Sequence, residues 1–178
     1  MGDQPDIPEI NEETVETLVE NVREMLKDED AREQGFNVRA GGLAGFLGLT
    51  VSAAIAVAKV GLDTPLSGVA IVCAAISLAV TFGALLTSLT LAVVKVLLPQ
   101  ESAAIAMSTI EKYPNWEYIV QQKVMVQGEI LHGLIAALAK DRERNSSKAT
   151  WLRRAYVALL VGIASMIVFA AILAIEAL

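Results

Sequence analysis

The residues best equipped for chemistry in this 178-residue chain are the cations between Lys140 and Arg154: Lys140, Arg142, Arg144, Lys148, Arg153 and Arg154, with Asn145 among them. Side chains of this kind suit a phosphate, because a guanidinium donates two parallel hydrogen bonds to it and an ammonium adds a point charge. Arg142, Arg144, Asn145 and Lys148 are therefore the candidate phosphate contacts, for a nucleotide or a lipid head group. The plainer reading of the same cluster is an anchor at the membrane end of the last apolar segment. Cys73 and His132 are the only cysteine and the only histidine, which leaves no disulfide framework and no His/Cys zinc set. No Ser-His-Asp or Cys-His arrangement is laid out, and no phosphate loop ends in Gly-Lys-Ser/Thr. The expectation is a protein with no catalytic residue, no metal and no cofactor.

The elements that must position these residues follow from where charge is missing. Residues 40–58, 66–94 and 155–175 contain no ionisable side chain other than Cys73 and Tyr156, and all twenty acids and fourteen bases lie outside those runs. A helix needs about 20 apolar residues to cross a bilayer core of roughly 30 Å. The first run reaches that length with Lys59, whose stem can extend to the interface. These runs lack the polar face that helices of a soluble bundle normally keep. A composition of 54% hydrophobic and 19% charged residues agrees with three transmembrane helices, as does the mean hydropathy of +0.54. The first run begins after about forty polar residues, unlike a secretory signal. The connection from Lys95 to Arg154 carries nine bases, and Arg32 and Arg39 precede the first span. Positive residues near span ends stay in the cytoplasm, so the amino terminus is expected there and the carboxyl end outside.

The predicted fold is thus all-α: an integral membrane protein with three transmembrane helices and a small helical cytoplasmic region. Its parts are a cytoplasmic acidic amphipathic helix in 1–36, a two-span hairpin in 37–98, a cytoplasmic helical region in 99–150 and a third span in 151–178. Asn11 can cap the first helix, which the sequence ends near Gln34. Val15, Leu18, Val19, Val22, Met25 and Leu26 form its apolar stripe. Its acidic polar face is wrong for anionic lipid, so the stripe is expected on the chain's own cytoplasmic part or on a second copy. A short helix over 100–111 and a turn at Lys112-Tyr113-Pro114 precede a longer helix from about Asn115 to Arg144. The stripe of that helix includes Ile119, Ile130, Leu131, Leu134, Ile135 and Leu138, with Lys123 and Gln127 interrupting it. Asn145-Ser146-Ser147 is the expected break before the last span.

Small residues recur every fourth position in the first span. Gly41 pairs with Gly45, and Ala44, Gly48, Ser52 and Ala56 follow one another; Ala158 and Gly162 repeat the spacing in the last span. Such stripes let helices approach closely in lipid, and they serve packing inside one chain or between chains equally well. Ser77, Thr81, Thr87, Ser88 and Thr90 of the middle span would line a pore only in an assembly; bonding back to their own helix is the commoner use. Transporters and proton relays place ionisable groups inside their spans, and these spans hold no acid or base.

Three segments carry a likeness. Asn37-Val38-Arg39-Ala40-Gly41-Gly42-Leu43 leads into the first span. Tyr113-Pro114-Asn115-Trp116-Glu117-Tyr118-Ile119 lies in the long connection. Arg144-Asn145-Ser146-Ser147-Lys148-Ala149-Thr150-Trp151-Leu152-Arg153-Arg154-Ala155 leads into the last span. With this layout the chain resembles, over nearly its whole length, the transmembrane effector family of Pycsar anti-phage systems. The resemblance implies a multi-pass inner-membrane effector that senses a cyclic pyrimidine mononucleotide, cyclic UMP or cyclic CMP, in the cytoplasm. It also implies a homo-oligomer that impairs the membrane. The expected partners are then the lipid bilayer, that nucleotide and further copies of the chain, and no nucleic acid. A non-enzymatic membrane scaffold or an oligomeric ion channel unrelated to defence is the alternative.

Overall fold

The structure, a computed structural model, describes residues 12–98 and 123–176. Three helices account for almost all of them. Helix α1 spans Glu12–Asp63, α2 spans Gly68–Thr90 and passes into a π-helical segment at Leu91–Leu97, and α3 spans Lys123–Glu176. No strand occurs among the described residues. Each of the three is long and apolar enough to cross a membrane. The expected leader, the Asn11 cap, the 100–111 helix, the turn at Pro114 and the start of a helix near Asn115 lie outside the described residues.

Two expected boundaries are corrected. The first helix does not end near Gln34, and Asn145-Ser146-Ser147 does not interrupt the last one. The signals used for both are weak: a glycine costs about 1 kcal/mol in a helix interior, and Asn or Ser costs less. Tertiary contacts outweigh them. Val15, Val19, Val22, Leu26, Glu29, Glu33, Phe36, Ala40, Leu43, Leu47 and Ala54 follow the alternating three- and four-residue spacing of a helix–helix seam along α1. Leu134, Leu138, Asp141, Asn145, Lys148, Leu152, Ala155, Leu159, Gly162, Met166, Phe169 and Leu173 do the same along α3 without a missed step. Gly35 and Ser146 fall off these seams, so neither helix has a reason to stop there.

The described chain divides into two compact units. In the first, residues 12–33 of α1 pack on residues 123–145 of α3. Val15, Val19 and Val22 are buried against Leu134 and Leu138, flanked by Leu26, Ile130 and Leu131. Burial of aliphatic side chains from water, at about 1.5–3 kcal/mol each, holds this pair together. Leu18 and Met25 at the margin of the stripe are half exposed, and Ile135 lies outside the contact. Gln127, which interrupts the stripe, donates to Glu16 at 3.3 Å. That bond and the Arg144–Glu33 pair both join residues 111 positions apart, so the two helices run parallel.

The second unit takes residues 34–98 and 146–176 and is a bundle of the three apolar segments. One core gathers Ala40, Leu43, Leu47, Leu85, Ala92, Val96, Leu152, Ala155 and Leu159, and another gathers Ala74, Phe169 and Leu173. Gly61 faces Phe169 and Leu173, while the carboxylate of Glu176 accepts hydrogen bonds from the backbone N–H and hydroxyl of Ser67 at 3.1 and 3.0 Å. Helix α2 therefore runs antiparallel to α1 and α3. Ser67 is the residue before α2, so the carboxylate lies at that helix's positive end. Most of the apolar side chains point away from the bundle: Leu49, Val69 and Ile175 are more than 70% exposed.

Candidate functional site

In the first unit the two seams carry polar residues where α1 reaches Glu29 and Glu33 and α3 reaches Asp141 and Asn145. The Asn145 side chain is 1% exposed, and its Nδ2 donates to both the carbonyl and the carboxylate of Glu29, each at 2.9 Å. Arg32 reaches the other Glu29 oxygen at 2.9 Å from one turn along α1, and Arg142 Nε lies 3.6 Å from it. Arg144 pairs with Glu33 and lies 3.2 Å from Asp141. The hydrogen bond from Asn145, helped by the Arg32 and Arg142 charges, holds the Glu29 carboxyl below its ordinary value, although burial pulls the other way. Asn145 Oδ1 is buried without a hydrogen-bond partner. A buried carboxylate and amide with an unmatched oxygen are costly to keep, which separates Glu29 and Asn145 from ordinary surface pairs.

Of the four predicted phosphate contacts, the structure brings Arg142, Arg144 and Asn145 together, and it turns them toward carboxylates. Lys148 belongs to the second unit, is 2% exposed and donates to Asn37 Oδ1 at 3.5 Å. Glu29 and Asp141 were missed in the sequence. The signal for Glu29 was present, because it falls on the spacing set by Val15, Val19, Val22 and Leu26 inside the acidic run Asp28-Glu29-Asp30.

The predicted packing residues divide sharply. A Cβ on Gly162 would meet Leu85 at 2.9 Å, so this glycine is what lets α3 approach α2. At Gly41, Gly45 and Gly48 a Cβ would meet nothing within 4 Å, and Ser52 and Ala56 are exposed with them. Ala44 is partly covered; with Leu47, Gly48, Val51, Phe82, Leu85, Leu86 and Leu89 it lines an apolar groove of about 400 Å³ between α1 and α2. Ala158 is partly buried.

The middle-span hydroxyls also have defined uses. Ser77 donates to the Ser165 carbonyl at 2.7 Å, Ser165 returns a bond to the Ser77 carbonyl at 2.8 Å, and Ser88 donates to the Ala155 carbonyl at 2.7 Å. Thr81, Thr87 and Thr90 bond back to carbonyls four residues earlier. Cys73 and His132 are exposed. Among the described residues no group of three His, Cys, Asp or Glu side chains is placed to hold a metal. No family model, curated protein sequence or solved structure matches the chain.

Proposed function

We propose that the chain is a three-span effector of antiviral defence in the inner membrane, switched by a cyclic pyrimidine mononucleotide in the cytoplasm and acting as a homo-oligomer on the membrane. The likeness of the Asn37–Leu43, Tyr113–Ile119 and Arg144–Ala155 segments supplies the ligand and the setting. The observation that carries a switch is the network in which buried Glu29 and Asn145 and the partly buried Glu33–Arg144 pair meet the exposed Arg142. In this reading the arginines exchange a carboxylate for the cyclic phosphate, and the buried acceptor Asn145 Oδ1 gains a donor from a hydroxyl or base N–H of the nucleotide. Release of Glu33 from Arg144 then loosens the α1–α3 pair and alters how copies associate.

Thermal unfolding of the purified full chain with cyclic UMP, cyclic CMP and cyclic AMP tests the sensing step. A rise in the midpoint with a pyrimidine nucleotide alone, absent in Arg144→Gln, supports it. No shift with either pyrimidine nucleotide overturns it. A second reading, a membrane scaffold built from several copies with no nucleotide, is favoured by the uncovered Gly41, Gly45, Gly48 and Ser52 face of α1.

A further inference from the structure

The second unit is electrically lopsided. Its described residues include only two acids, Asp63 and Glu176, and both lie at the end of the bundle where Ser67 meets Glu176. The opposite end is marked by Ala40, Ala92, Val96, Leu152 and Ala155 in one core. There the unit carries Arg39, Lys95, Lys148, Arg153 and Arg154 with no carboxylate of its own. Lys148 is buried with Asn37; the other four are exposed.

Two of them converge on one ring. The Lys95 ammonium lies 5.6 Å from the centre of the Trp151 indole, and the Arg154 guanidinium lies 4.5 Å from it. Arg154 is one helical turn beyond Trp151 on α3, but Lys95 arrives from the neighbouring helix, through the π-helical segment. The Leu98 N–H bonds to the Val93 carbonyl at 2.9 Å, closing the wider turn. Ala92 and Val96 are both fully buried, so the turn keeps Val96 on the covered face and leaves Lys95 outside it, beside Trp151. A guanidinium resting on an aromatic face keeps the donors along its edge directed outward, in the fork that fits a phosphate. Tryptophan is itself suited to the level of lipid head groups.

We infer that Lys95, Trp151 and Arg154 form a head-group site for an anionic phospholipid, with Arg39 and Arg153 adding charge around it. The lipid phosphate lies against the edge of Arg154 and the ammonium of Lys95, and its chains run down the exposed apolar faces of α2 and α3. This rests on the three apolar helices crossing a bilayer. Flotation of the full chain with pure phosphatidylcholine vesicles tests that premise separately, since it needs no anionic lipid.

The experiment is native mass spectrometry of the full chain in detergent micelles holding equal phosphatidylglycerol and phosphatidylcholine. Retained phosphatidylglycerol should exceed phosphatidylcholine by roughly fivefold or more, the factor expected for about one effective Lys or Arg contact at a lipid surface. Lys95→Gln with Arg154→Gln should bring the two lipids near parity. Lys59→Gln, at the other end of the bundle, should leave the preference unchanged. Parity in the unmodified chain overturns the site without recourse to any variant, and so does a preference that survives the double substitution. Soluble glycerol 1-phosphate is the remaining arm: if it displaces the lipid at equal concentration, the site serves a free phosphate and the lipid assignment fails.

Discussion

Asn145 and Glu29 illustrate how much depends on one buried pair. Two hydrogen bonds at 2.9 Å leave the amide nitrogen, and the carboxylate that receives one of them is 5% exposed at residue level. Removing one partner of such a pair costs more than removing both, because the survivor stays buried and unmatched. Asn145→Leu should therefore destabilise the first unit by about 2–3 kcal/mol, whereas Glu29→Leu with Asn145→Leu should recover most of that loss by continuing the apolar seam. Thermal unfolding followed by circular dichroism measures both. The pH dependence has a definite sign. Glu29 has a lowered carboxyl value in the folded chain, so its contribution is complete above the ordinary value of 4.5 and is lost as pH falls through the folded one. The acid limb of the stability profile should flatten in Asn145→Leu; an unchanged limb would show that Glu29 does not depend on Asn145.

At the scale of helices, the three apolar segments were legible because charge is absent from 40–58, 66–94 and 155–175. The pairing of the Val15–Val19–Val22 stripe with Leu134 and Leu138 was legible for a similar reason, since each stripe lacks a partner on its own helix. What could not be read locally was continuity. Asn145 and Ser146 are poor helix formers on an intrinsic scale, yet Asn145 bonds across the seam to Glu29 and the helix passes through. The phosphate cluster was legible as charge, but the α1 carboxylates that meet it come from 111 to 116 positions away. The glycines separate in the same way: equal spacing in sequence, unequal surroundings in space. Gly162→Ala should lower stability by about 1–2 kcal/mol, because the new methyl meets the buried Leu85 at 2.9 Å. Gly45→Leu should raise the unfolding midpoint of the single chain slightly, since a Cβ there meets nothing within 4 Å and leucine is the better helix former by up to about 1 kcal/mol. If copies associate through that face, sedimentation of Gly45→Leu in detergent will show a smaller species than the unmodified chain. An unchanged species removes the α1 face from the assembly.

For the whole molecule, the net charge of −6 conceals a strong segregation. Residues 1–39 hold twelve acids and four bases, and the 95–154 stretch holds six acids and nine bases. Asp63 ends α1 just before the turn into α2, and Glu176 closes on Ser67 at the end of that turn. If the three helices cross a bilayer, the arrangement expected from their flanking charges keeps Arg39, Lys95, Lys148, Arg153 and Arg154 together on the cytoplasmic side and sends Asp63 and Glu176 outward. Inversion would carry these five bases across the membrane, and the eight others of residues 1–39 and 95–154 with them, to bring in one lysine, Lys59. A topology follows that single cysteines can read. In a Cys73→Ala background, Pro65→Cys should react with a membrane-impermeant maleimide on intact spheroplasts, and Thr17→Cys should react only after permeabilisation. Both positions are exposed, so reactivity reports sidedness and not burial. The reverse pattern would mean that the acidic amino-terminal segment overrides the basic collar. Labelling at both positions in intact spheroplasts would mean that the apolar helices do not separate two compartments, and the defence reading and the head-group site would fall together.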